Sequence, residues 1–308
     1  MEFRNSKISH SVKYYIMAIL LVCSFIDAEE ITADIDYFLQ PFSKESPWNQ
    51  DLLTRYGINT RKDLQLEEVK MPYKIGINSR SWSIPFYMSE RSDPKKIILL
   101  TESNKIITLR LPVRAKPAKG DDAHLAIMDV NNKIIHEFYK YNNDGTAKIY
   151  RQVKADGYGF AESGNQYIGT RASGGSAVGG LIRLWEYGIN QPIKHALAIA
   201  VSKEYLKKGF VKPASSEDSF SDEMYKGDIE MGSHITLMSG IEIDKILVNK
   251  LAQKIAHAIY DYGAYVVDSG GREKLIFYAE PGFPTKALQS ANQDLKKLQP
   301  YLVKIINH

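Results

Sequence analysis

Residues 124–142 read HLAIMDVNNKIIHEFYKYN. Asn131-Asn132 stand between two apolar runs, the signal of a tight hairpin turn. In the second arm Ile135, Glu137 and Tyr139 alternate with His136, Phe138 and Lys140, the two-residue period of a strand. The same grammar recurs on both sides. KKIILL (95–100) and KIITLRL (105–111) flank the turn formers TESN, and AKIYRQVKA (147–155) reads as another strand. Further along, HALAIAVS (195–202) reads as a buried strand and SHITLMS (233–239) as one more. AYVVDSG and KLIFYAE predict a hairpin about Gly270-Gly271. Helices are fewer. Residues 245–262 place Leu247, Val248, Leu251, Ile255, Ile259 and Tyr262 on one face, with Gly263 as a stop. LIRLWEYG (181–188) predicts a short helix, and residues 286–306 a C-terminal one. The tally predicts a β-rich (α+β) chain: an antiparallel β-sandwich or barrel core with a few peripheral helices. No βαβ alternation is visible, which argues against a Rossmann fold or a TIM barrel.

The N-terminus has a different character. Arg4, Lys7 and Lys13 precede the short apolar run YYIMAILLVCSFI (14–26), and Asp27-Ala28 leads into Glu29-Glu30. This is the pattern of a secretory signal peptide over residues 1–28, cleaved near Ala28. The run is too short to span a bilayer comfortably. The expectation is a secreted or periplasmic protein without a membrane span after cleavage, with residues 29–308 as one β-rich domain. The single cysteine, Cys23, falls inside the signal, so the mature chain offers no disulfide, thiolate metal site or Cys nucleophile. Across 308 residues, 40 Lys+Arg balance 36 Asp+Glu for a net charge of +4. That balance is too even for a dedicated nucleic-acid binder, which carries a dense basic stripe.

The segment GYGFAESGNQYIGTRASGGSAVGG (157–180) holds eight glycines in 24 residues. A long Gly-rich stretch in a compact chain is usually functional or disordered, and its aromatic residues and Arg171 argue against disorder. GGSAVGG is not the G-x-S-x-G elbow of serine hydrolases. GYGFAE lacks the third glycine of a dinucleotide loop, so no cofactor is called for.

Several stretches occur in a telling order: SPWN (46–49), AHLAIMD, GTRASGG…GGLIR (169–183), KHALAIAV (194–201), FVKPA (210–214), Met231-Gly232 and YDYGAYVVDSGG (260–271). Together they resemble a large family of secreted bacterial proteins, members of which are often joined to carbohydrate-binding modules. The resemblance covers most of residues 41–280. It implies one secreted domain with a polysaccharide or other glycan as substrate or ligand, and it supplies no catalytic residues.

The residues themselves leave two chemistries open. A polysaccharide lyase needs a cation to neutralise a uronate carboxylate and a base near the C5 proton. Arg171 or Arg183 fits the first role, since a guanidinium offers a fixed charge and a planar donor fork. His124, His195 or Tyr158 fits the second. The competing reading of each arginine is a cap on loop carbonyls, and of each histidine a hydrogen-bonded packing ring. A glycosidase needs two carboxylates instead, about 5–5.5 Å apart to retain or about 6.5–9.5 Å to invert. Asp156, Glu162 and Glu186 bracket the Gly-rich segment and are the candidates, with solvated loop acids as the competing reading. Tyr265 is expected beside the site as a sugar-contacting residue. Asp122 and His124 could bind a metal, but two ligands at that spacing are common by chance. The leading expectation is an enzyme cleaving a polysaccharide, elimination slightly ahead of hydrolysis. The rival is a glycan-binding or cell-envelope protein without catalysis. The sequence does not set the oligomeric state.

Overall fold

The computed structural model describes residues 37–162, 167–189 and 191–306. The expected signal peptide, residues 1–28, lies outside them. The first strands are β1 (Leu66–Glu67), β2 (Lys74–Asn78), β3 (Phe86–Ser89), β4 (Lys95–Leu100) and β5 (Lys105–Arg110). Then come β6 (Leu125–Asp129), β7 (Ile134–Tyr139), β8 (Thr146–Ala147) and β9 (Ile149–Lys154). The second half adds β10 (Leu197–Ser202), β11 (Leu206–Phe210), β12 (Ile229–Met231) and β13 (His234–Leu237). It closes with β14 (Ala264–Gly270), β15 (Lys274–Tyr278) and β16 (Leu302–Ile305). Four helices are named here: α1 (Leu52–Tyr56), α2 (Leu184–Gly188), α3 (Lys250–Asp261) and α4 (Thr285–Leu295).

The chain is β-rich with few helices. A seven-stranded sheet runs β1-β16-β13-β14-β10-β15-β2, a four-stranded sheet β3-β6-β7-β9, and a three-stranded sheet β5-β4-β8. Alternation along the strands explains the layering. Leu197, Ile199 and Val201 of β10 face α3 and α4, where Leu251, Ile255, Ile259, Leu288 and Leu295 complete one core. Ala196, Ala198 and Ala200 face the other way. There a second core joins Tyr265 and Tyr278 to Phe86, Ala126, Met128 and Ile135 of the four-stranded sheet. Leu125, Ile127 and Phe138 point from that sheet into a third core under β4. The order is therefore helices, large sheet, middle sheet, small sheet.

The hairpins read from alternation form: β4 pairs β5 and β6 pairs β7, both antiparallel. The β6–β7 turn occupies residues 130–133, wider than the two-residue turn expected, with Lys133 left-handed at φ 52°. Antiparallel pairing does not hold throughout. The large sheet is mixed, with β10 parallel to β14 and β15 parallel to β2, and no closed barrel forms among the described residues. The expected β14–β15 hairpin is not one, because β10 lies between the two strands. Its LAIAVS residues are buried on both faces, which suits a central strand. The helix expected over 245–262 starts later. Asn249 caps it, its side chain accepting from Ala252 N, and Val248 stays 79% exposed. The helix expected over 286–306 is also shorter. Pro300 sits in its last, tighter turns, and LVKI beyond it becomes β16, paired with β13 and β1.

Candidate functional site

The Gly-rich segment is built into the second core. Phe160, Ala177, Val178 and Leu181 pack there with Trp48, whose ring stacks on Phe160 at 4.8 Å. A buried carboxylate holds the segment in shape. Glu137 leaves β7 on the side of Ile135 and is 0% exposed. It accepts from Thr170 N at 3.0 Å, from Ala177 N at 2.9 Å, and from the hydroxyls of Thr170 and Ser176. Burial pushes its carboxyl up, and these donors and Arg171 oppose that push. Glu137→Gln is expected to lower stability by about 2–4 kcal/mol, because the new amide N–H₂ faces backbone and hydroxyl donors. Urea unfolding measures this, and an unchanged midpoint would refute the clasp.

Beside the clasp lies a charged cluster. Arg171, 2% exposed, places Nη1 2.8 Å from Asp268 Oδ2 and donates from Nη2 to the Ala177 carbonyl. Its guanidinium carbon stands 3.7 Å from the centre of the Tyr278 ring. Asp268 also accepts from Tyr278 Oη at 3.0 Å and from Ala172 N at 2.8 Å. A bulge aims it. The β10–β14 register slips by one between Ile199 and Ala200, so Asp268 points to the side that carries Tyr278 and Arg171.

Asp268 acts on two further carboxyls. Asp122 lies just before β6, where its carbonyl accepts from Lys140 N and its carboxyl is bonded to Tyr139. Burial pushes Asp122 up and the charge of Asp268 adds to it, against Arg171, Tyr139 and Lys140. Asp218 comes from the loop after β11 and accepts from the Tyr225 and Ser269 hydroxyls. Burial pushes Asp218 up as well, the Tyr225 bond opposes, and Asp268 again adds. Backbone bonds from Ser173 N to Val267 O and from Ser215 N to Ser173 O, both 2.9 Å, tie these segments together. Asp122, Asp218 and Asp268 all remain partly exposed.

The expected site residues fall into three groups. Arg171 and His124 belong to this cluster. His124 sits 3.4 Å from the Thr170 hydroxyl, and burial with the nearby Arg171 charge holds its ring neutral, at about 3. Arg183, Glu186 and His195 form a second group. Arg183, 3% exposed, pairs with Glu280 at 2.9 Å and donates to the Leu39 carbonyl. His195 Nε2 lies 3.2 Å from Glu186 Oε1. Burial works against its charge, yet Glu186 outweighs burial and raises it. Glu186 also accepts from Arg183 N at the start of α2, so it serves as a helix cap. Tyr158 and Tyr265 form a third group with Arg55. Asp156 and Glu162 are exposed loop acids. Glu137, Asp218, Asp268 and Tyr278 were missed. Asp268 did carry a signal, as an acid directly after the apolar run of YGAYVVD.

A groove of about 490 Å³ lies elsewhere. His136, Tyr150, Arg110 and Asp129 line it, and none of its lining residues belongs to the Asp268 cluster. No group of three His, Cys, Asp or Glu able to hold a metal ion occurs among the described residues, and no helix there is long and apolar enough to cross a membrane. No family model, curated protein or solved structure matches the chain.

Proposed function

We propose that this chain is a secreted carbohydrate-active enzyme that cleaves a polysaccharide by hydrolysis, with Asp122, Asp218 and Asp268 at its centre. The observation that carries the reading is the charge of Asp268 acting on two half-buried carboxyls from distant segments, both pushed above the usual range. Glycoside hydrolysis needs such a division: one carboxyl that keeps its proton and one that gives it up. Asp218 is the more deeply set and is the general acid. Asp122 is the base; Arg171 and Lys140 favour its ionised form, as Lys203 does that of Asp218. Asp268 is a positioning residue whose charge adds to the burial that raises both. Elimination is the weaker reading, because Arg171 and Arg183 are buried and already paired with carboxylates. The glycan and the export rest on the family resemblance and the N-terminal pattern.

The test uses purified protein against acidic and neutral polysaccharides, following reducing ends and the absorbance of unsaturated uronates together. Reducing ends without absorbance are expected. Asp218→Asn and Asp122→Asn are each expected to lower kcat about 10²–10⁴-fold. The rate should fall at high pH as one of the two carboxyls loses its proton and at low pH as the other gains one. Both limbs lie above the ordinary Asp range, since both carboxyls are raised. Rising absorbance would move the chemistry to elimination. Binding without either signal would make this a glycan-binding protein.

A further inference from the structure

Arg55, in the last turn of α1, differs from the other buried arginines. Arg171 and Arg183 each face a carboxylate. Arg61 stacks on Tyr260 and donates to the Tyr260 and Leu237 carbonyls. Arg55 instead ends among phenols. Its Nη1 donates to Tyr158 Oη at 3.1 Å, and no carboxylate reaches it among the described residues. The Tyr265 hydroxyl is buried beside the guanidinium without a well-formed hydrogen bond. Burial pushes that phenol up, so it stays a donor. Tyr56 turns away and bonds His234 Nδ1 at 2.8 Å, while His234 Nε2 lies 2.9 Å from the Tyr262 carbonyl. Burial holds His234 neutral, at about 3, so this ring brings no second charge.

A half-buried guanidinium loses hydration that no counter-charge returns. It has five N–H donors, and at most two are used, toward the Tyr158 and Tyr265 hydroxyls. Arg55 and Tyr158 remain partly exposed, so the cluster opens to solvent. We infer that Arg55, Tyr158 and Tyr265 form a binding site for a small oxyanion, the carboxylate or sulfate of an acidic sugar or of a free acid. The guanidinium fork takes two oxygens in one plane, the geometry that suits such a group. The buried Tyr265 hydroxyl lies against the guanidinium and holds it in place. The site shares no residue with the Asp122, Asp218 and Asp268 cluster, so it stands whether or not hydrolysis is correct.

The test is thermal unfolding of the full chain at constant ionic strength with D-glucuronate, acetate, sulfate and D-glucose. An oxyanion at roughly ten times its Kd should raise Tm by about 2 °C, and glucose should not. A larger shift with glucuronate than with acetate and sulfate assigns the site to an acidic sugar. Equal shifts assign it to a free oxyanion. Arg55→Gln should abolish the shift, Arg55→Lys should keep part of it, and Tyr265→Phe should weaken binding several-fold. No shift with any anion, or the same shift in Arg55→Gln, overturns the site. Phenylglyoxal labelling of Arg55 in the unaltered protein, read by peptide mass spectrometry, needs no variant to fold. The anions should slow that labelling at least about threefold, and unchanged labelling counts against the site.

Discussion

Asp268→Ala is expected to remove about 3–5 kcal/mol of stability, the cost of leaving a buried charge without its partner. The variant strands Arg171, which is 2% exposed. It also removes the acceptor of Ala172 N and of the Tyr278 hydroxyl. Each orphaned donor adds a desolvation cost, of about 1–3 kcal/mol when fully buried. Urea unfolding should show the midpoint falling with little change in slope. Asp268→Asn should lie between, because its amide oxygen still accepts one bond. The double variant Arg171→Met, Asp268→Leu removes both charges and should recover most of the loss, as buried pairs replaced by apolar residues often do. A loss under about 1 kcal/mol for Asp268→Ala would show that water reaches Arg171. Burial raises Asp122 and Asp218 and the Asp268 charge adds to it, so losing that charge should move both pH limbs part of the way down in the folded fraction.

Gly180→Ala should be as severe for a different reason. Gly180 has φ +66°, where an L side chain is strained. A Cβ there would lie 2.3 Å from Ala198 N, 2.5 Å from Trp48 Cζ3 and 2.6 Å from Leu197 C. The backbone cannot retreat, because the Gly180 carbonyl accepts from Ala198 N at 2.9 Å and ties the segment to β10. A loss above about 4 kcal/mol, or no soluble protein, is expected. Gly188→Ala is the control: nothing lies within 4 Å of its Cβ position, and its φ is negative-side helical backbone. It should be neutral or stabilising by about 0.4–1 kcal/mol. Equal losses in both variants would mean that crowding is not the cause.

Local patterning made much of this fold legible. The β4–β5 and β6–β7 hairpins follow from alternation around turn formers, and α3 from Leu251, Ile255 and Ile259 at helical spacing. Sheet order is different, because it depends on which buried strand is inserted between which others. Nothing within AYVVDSG or KLIFYAE announces that β10 separates them. The same limit applies to the charged residues. Arg171 was recognisable as a guanidinium at the Gly-rich stretch, and His124 as a ring opening an apolar strand. Their partners come from β14, β15 and the loop after β11, and a linear reading does not bring Asp218 and Asp268 together. The bulge that aims Asp268 has no local sign either. Arg183 stood out beside the Gly-rich stretch and His195 at the start of an apolar strand, but their neighbours Glu280 and Glu186 make them ion-paired groups.

The segment around Gly169–Gly180 has neither helix nor strand, yet it lies against both large sheets. In most lineages such irregular stretches drift freely and absorb insertions. Here the freedom is reversed. A Cβ at Gly169 would sit 2.1 Å from the Gly175 carbonyl oxygen, and one at Gly179 would sit 2.4 Å from the Trp48 ring. Descendants of this chain can change the faces of β4 and β5, where Ile97 and Ile106 stand in solvent, far more readily than this stretch. Change is therefore channelled into the outer hairpin, while the unstructured-looking interior is held to its present residues.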